Sequence, residues 1–306
     1  MKRTKRTWDL LKDAISLWTS KHAFQFAGAM AFYTVFSLAP LMILLVAAAG
    51  IFFGEEAARG EISAQLESLV GPQAAEAMES AVEASSFDQS GILPTVLGVV
   101  ALLFGATTVF AQVQAALNNL WDVRAEPSRS GILTFIRTRL LSLGLVLVIG
   151  FLLLISFVLS VAIGMVVSFA SDWVPVPNFV ALAANVTLTL VVVTLLFAMV
   201  YRVLPDVHLG WRDMWMGAFG AAALFAVGQY GISYYLTRTA PGSAYGAAGS
   251  LVLVLMWVYY SSLILLFGAA FTRVAVRERG DVIRPRGHAV RVRTEVVEEE
   301  APPSDV

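Results

Sequence analysis

Apolar residues in this chain come in long runs rather than in short alternating or striped patches. Six windows contain no Asp, Glu, Lys or Arg at all: 22–54, 89–121, 140–171, 173–201, 214–237 and 239–272. A helix rises about 1.5 Å per residue, so about 20 residues cross a hydrocarbon layer about 30 Å thick. Each window can therefore hold one membrane-spanning helix. The clearest is the last, where YGAAGSLVLVLMWVYYSSLILLFGAAF occupies 245–271 between Arg238 and Arg273. The pattern predicts an all-α integral membrane protein with six transmembrane helices, at about 27–53, 92–114, 141–169, 179–201, 214–236 and 249–271.

The segments between and around the windows have a different texture. Residues 1–24 carry Lys2, Arg3, Lys5, Arg6, Lys12 and Lys21, with Trp8, Leu11, Ile15 and Trp18 at helical spacing. That spacing predicts an amphipathic helix, either lying on the membrane surface with its cations over anionic lipid or packed on the ends of the spans. The connection 54–91 is acidic, with Arg59 against eight Asp and Glu, and Ile62, Leu66 and Leu69 recur helically before Gly71-Pro72 interrupts. Two short amphipathic helices outside the membrane are predicted there. The tail 273–306 is basic and then acidic, with too few apolar residues for a core, which predicts disorder beyond about 285. The domain plan is thus a segment 1–24, a membrane domain 25–272 containing the insert 54–91, and the tail 273–306.

Composition sharpens this picture. Of 306 residues 58% are hydrophobic and only 14% charged, against about 25% in soluble domains. The mean hydropathy is +0.75. Alternating the connections between the two faces leaves Arg59 and Arg238 as the only cations on the face away from the termini. Positive charge collects on the inner side of a membrane, so both termini are expected inside and the protein in a bacterial plasma membrane. The first apolar run, about 25 residues, is too long for a cleavable leader.

Candidate chemistry is sparse. The chain has no cysteine, which excludes disulfides and thiolate sites. His22, His208 and His288 fall in separate segments, and no phosphate loop, nucleophile elbow or dinucleotide motif is present. These absences predict no enzyme, no cofactor, no metal site and no nucleic-acid partner. What remains inside the spans is neutral and polar: Thr34 and Ser37 before Pro40 in the first, Thr107 and Thr108 in the second, Gln229 in the fifth, Ser261 and Ser262 in the sixth. Hydrogen bonding between helices is the commoner use of such groups, and lining an amphipathic cavity the rarer one. Pro40 should kink its helix, and Trp257 is the one tryptophan placed near mid-membrane.

Four stretches, AFYTVFSLAPLMILL at 31–45, ALNNLWDV at 116–123, YRVLPDVHLGWRDMWMGA at 201–218 and YGAAGSLVLVLMWVYYSSLILLFGAA at 245–270, together resemble the YihY/BrkB family of bacterial inner-membrane proteins. The resemblance covers about 20–279 and implies six spans with both termini inside. It carries the family pattern to Ser37, Pro40, Leu117, Asn118, Pro205, Trp211, Asp213, Tyr245, Gly246, Trp257, Tyr259, Gly268 and Ala269. One departure is Ala270, where the family usually has Glu. The resemblance also implies a transporter-like role in the envelope, with the lipid bilayer and a lipid-like substrate as partners. A non-transporting scaffold or regulator ranks second. An older ribonuclease label attached to the family ranks last, since no carboxylate cluster or aromatic RNA platform supports it. The residues leave the oligomeric state and the substrate open.

Overall fold

The computed structural model of the protein describes residues 2–35, 108–125, 178–239, 249–287 and 289–293, with scattered positions at 37 and among 50–76 and 140–169. Most of the insert 54–91, most of the first and second predicted spans, part of the third, Pro40, Tyr245 and Gly246 lie outside the described residues. The described elements in chain order are α1 (Lys2–Ser20), α2 (Ala23–Val35), α3 (108–121), β1 (Val123–Ala125), α4 (Asn178–Val203), β2 (Val207–His208), α5 (Trp211–Thr239), α6 (Gly249–Glu278), β3 (Arg284–Pro285) and β4 (Ala289–Arg291).

Three of these, α4, α5 and α6, are long and apolar enough to cross a membrane. Their helicity is a consequence of the solvent. The stretch VTLTLVVVT in α4 is rich in β-branched residues that disfavour helix in water, but a bilayer offers backbone groups no other partner than their own helix. The threonine hydroxyls comply: Thr187 donates to the Ala183 carbonyl at 2.7 Å and Thr194 to the Leu190 carbonyl at 2.6 Å. α4 stops at Val203 because Pro205, fully buried, cannot continue it. The 30 residues of α6 measure about 45 Å, so its last turns, from about Arg273 to Glu278, project beyond any hydrocarbon layer.

Packing distinguishes the faces. On α5, Met214, Gly217, Ala218 and Ala221 are buried, while Arg212, Trp215, Met216, Phe219, Val227, Tyr230 and Tyr234 face outward. α6 packs on α5 along one side and on α1 along another, and α4 packs on a second side of α5. The last third of α6 is enclosed, with Leu266, Gly268, Ala269, Ala270, Thr272, Ala275 and Val276 all buried. Lipid removes the hydrophobic drive for helix association, so closeness of fit must supply it. Gly217 and Gly268 supply it here. A Cβ at Gly268 would lie 2.8 Å from the Ala221 Cβ and 2.9 Å from the Gly217 carbonyl, and nearer still to the Tyr201 hydroxyl. A Cβ at Gly217 would collide with Thr272 Oγ1 and the Gly268 carbonyl. A second seat lies farther along, where the Tyr260 ring covers Gly228 and its hydroxyl donates to the Leu224 carbonyl at 2.9 Å.

Aromatic contacts connect the three helices. Phe197 stacks on Tyr201 and meets the edge of Phe225, which in turn meets Trp257 at 5.3 Å between centroids. Tyr201 is wholly buried and donates its hydroxyl to the Leu265 carbonyl at 2.8 Å, joining α4 to α6.

Two expectations change. The tail is not disordered from 285: β4 pairs antiparallel with β1, and β3 with β2, which orders the chain through Arg293. Its backbone finds partners on the two connections it crosses, and this compensates for the apolar core that it lacks. The face predicted for α1 also divides. Ala14 is fully buried and Trp18 packs on Phe24 and Phe267, but Trp8 and Ile15 are exposed, so the packed side is centred on Ala14 and Trp18 rather than on Trp8.

Candidate functional site: the charged end of the bundle

The polar residues of the described structure gather where α1, α3, α4 and α6 end. Two helices finish there in the left-handed conformation that favours glycine, yet neither uses one: His22 has φ 56° after α1, and Asp122 has φ 54° after α3. Asp122 accepts an ion pair from Lys21, the residue beside the first turn, and another from Arg273 at 2.6 Å. Arg273 also donates to the Leu120 carbonyl, and Asn119 donates to the Lys21 carbonyl at 3.1 Å. One arginine of α6 thus neutralises Asp122 and satisfies a terminal carbonyl of α3, where a cation complements the helix dipole.

A second cluster surrounds Asp206, which is buried in the α4–α5 connection. Its carboxylate accepts from Asn118 Nδ2 at 2.8 Å and from Gln114 Nε2 at 3.3 Å, and its backbone N–H donates to Asn118 Oδ1 at 2.8 Å. Arg286 of the tail donates its backbone N–H to the Asp206 carbonyl at 2.9 Å. Its guanidinium meets the carbonyls of Arg202 and Val203 at 2.7 and 3.1 Å, capping α4 as Arg273 caps α3. The strand pairs lie alongside, and Val292 N–H donates to the Asp122 carbonyl at 2.8 Å. Both clusters therefore bind the tail.

The predicted residues divide accordingly. Asn118 and Pro205 meet at the Asp206 cluster. Asp213 opens α5 by accepting from the Gly210 N–H at 3.2 Å and pairs with Arg279 at 3.2 Å. Trp211 lies beside them, exposed, with the Arg202 guanidinium 4.6 Å from its ring centroid. Gly268 and Trp257 sit deeper, against α5 and its neighbours, and Tyr259 and Gln229 are half-buried. Ser37 is buried and donates to the Tyr33 carbonyl at 2.8 Å, and Thr34 donates to the Met30 carbonyl. Ala270 is buried among apolar residues. The sequence reading missed Lys21, Asp122, Arg273, Asp206 and Arg286. A signal was there: Lys21, Asp122 and Arg273 are the charges bounding three of the charge-free windows, which puts them at one level in the membrane.

Each acid is already compensated, so the arrangement suits holding segments together better than offering a free base or nucleophile. Among the described residues no three His, Asp or Glu side chains converge as metal ligands. Burial is the largest single influence on Asp122 and would raise its pKa. The hydrogen bonds from Lys21 and Arg273, with their charges, together outweigh it and hold the carboxyl below the usual carboxylate value. A pKa lowered by folding stabilises above the unfolded value, near 3.8, and that stability is lost as pH falls through the folded value. Asp122→Asn is expected to cost about 1–2 kcal/mol at pH 7. The gap from the parent should narrow below about pH 4, as thermal unfolding in detergent between pH 7 and 3 will read.

Residues 14–293 match the family model described as Virulence factor BrkB. A UPF0761 membrane protein of Ralstonia nicotianae is 29% identical over 80% of this chain and 54% of its own length. One from Bordetella petrii is 37% identical over 36% of this chain and 27% of its own length, and one from Pseudoalteromonas atlantica 26% identical over 81% and 79%. The chain thus spans about half or less of the first two. No solved structure matches.

Proposed function

This chain belongs to the BrkB family of membrane proteins, and we propose that it moves or flips a lipid-like, amphipathic envelope substrate across a bacterial plasma membrane. In this reading six helices span the bilayer and both termini are inside. The observation that carries it is the manner in which one end of the bundle is closed. α4, α5 and α6 meet through close apolar and glycine contacts along their length; α3 and the end of α1 share that apolar core, but where they end they are tied to the α4–α5 connection and the tail by two clusters of hydrogen bonds and ion pairs. Polar contacts at an interface exchange for water at small net cost, whereas a dry helix crossing does not open so readily. The clusters can therefore release while the crossing persists, which is what a gate on the inner side requires. Neutral residues within the spanning helices suit a cargo with an apolar body.

Reconstitution into liposomes with headgroup-labelled lipids tests this. Transfer above that of protein-free vesicles is expected for at least one phospholipid or glycolipid. Folded protein that transfers none of them overturns the proposal.

A further inference from the structure

The elbow between α4 and α5 carries an exposed feature that neither the clusters nor the helix packing uses. Trp211 and Trp215 stack one turn apart, with centroids 6.4 Å apart and planes inclined by 28°, and their exposures are 47% and 42%. The Arg202 guanidinium lies over the outer member of the pair and donates to the Leu209 carbonyl at 3.2 Å, which fixes it in place. Arg212, next to Trp211, is exposed on the outward side of α5. His208 and Arg284, cross-strand partners on β2 and β3, are exposed as well. Asp213, the acid closest to this feature in sequence, is bound to Gly210 and Arg279.

The level of this feature follows from α5 itself. Its outward side continues through Phe219, Val227 and Tyr230 to Tyr234, all exposed. From Trp215 to Tyr234 the helix climbs about 28 Å, close to the thickness of a hydrocarbon layer. Aromatic side chains thus stand at both ends of an apolar stripe one membrane thick, and the tryptophan pair lies at headgroup depth. At that depth on this side stand two arginines, and directly beside them an apolar track begins.

We propose that Arg202, Arg212, Trp211 and Trp215 hold an anionic phospholipid, the guanidiniums meeting its phosphate and the Phe219–Val227 track taking an acyl chain. The cations call for an anion. The adjoining track selects a lipid over a free phosphate, because a soluble anion would leave it unused. The site stands independently of transport: a lipid kept here is a fixed ligand on the outer wall of the bundle.

Native mass spectrometry of the purified full chain, with phosphatidylglycerol and phosphatidylcholine of matched chains, tests the proposal. The parent is expected to retain phosphatidylglycerol at least fivefold better than phosphatidylcholine, and the joint Arg202→Ala and Arg212→Ala variant to lose that preference. Lys12→Ala, a cation beside Trp8 on α1, should keep it. Arg212→Ala alone changes only an exposed side chain and should weaken phosphatidylglycerol about twofold. The unmodified protein provides a second measurement: a photoactivatable phosphatidylglycerol should attach within 202–219. Absence of an anionic preference in the parent, an unchanged preference in the folded double variant, attachment only elsewhere, or displacement by millimolar glycerol phosphate would each overturn it.

Discussion

Replacing Gly268 by leucine will lower the yield of folded protein sharply, and what remains will unfold about 5 °C below the parent. Even a Cβ at that position would lie 2.8 Å from Ala221 and 2.9 Å from the Gly217 carbonyl, closer than real Cβ atoms come. The Tyr201 hydroxyl, engaged by the Leu265 carbonyl, cannot withdraw without losing its bond. Overpacking of a fixed site costs roughly 1–3 kcal/mol and more where backbone must shift, so about 3 kcal/mol is expected, equivalent to the stated change in a chain of this size. Alanine should show the same sign at reduced size. The control is Gly220→Ala on the facing helix α5: a Cβ there meets nothing within 4 Å, so the better helix former should leave the midpoint unchanged or raise it. Midpoints followed by size-exclusion of heated, detergent-solubilised samples separate the cases. Equal effects at 220 and 268 would contradict the close crossing.

Asp206→Ala should be nearly as damaging, for a different reason. The buried carboxylate is the acceptor for two side-chain amides, Asn118 at 2.8 Å and Gln114 at 3.3 Å. Its removal leaves those donors without it in a place that water reaches poorly. Hydrogen bonds to a charged group are worth about 1.5–3 kcal/mol, and a stranded buried donor costs as much again, so a loss of roughly 3 kcal/mol is expected. The effect should also reach the tail, because Arg286 holds the Asp206 carbonyl and the last carbonyls of α4. Faster tryptic cleavage after Arg286 than in the parent is the expected result, and unchanged cleavage together with an unchanged midpoint would refute the account of this cluster.

How much of this could be read beforehand depends on which force decides each element. The spanning helices were legible because lipid admits few alternatives, and α4, α5 and α6 follow from runs without charge. Asn118, Pro205 and Gly268 were singled out by resemblance, but their partners were not, since a hydrogen bond between Asn118 and Asp206 joins positions 88 residues apart and leaves no local period. Gly217 and Gly220 both stand among the small residues of α5, and only the crossing geometry distinguishes them. The tail was misread because composition measures apolar content, whereas its order rests on backbone pairing and on two arginine-capped carbonyls. Asp122 bounds a charge-free window, but nothing in the sequence marks it as the end of α3, because its left-handed turn is one that glycine would ordinarily occupy.

With Gly217 seated on Gly268 and Tyr260 seated over Gly228, α5 and α6 touch at two separated points. Two such points remove both sliding and rocking between the pair, so it travels as a single body. Any rearrangement in the bilayer therefore has to leave this pair intact and divide the helices along another seam.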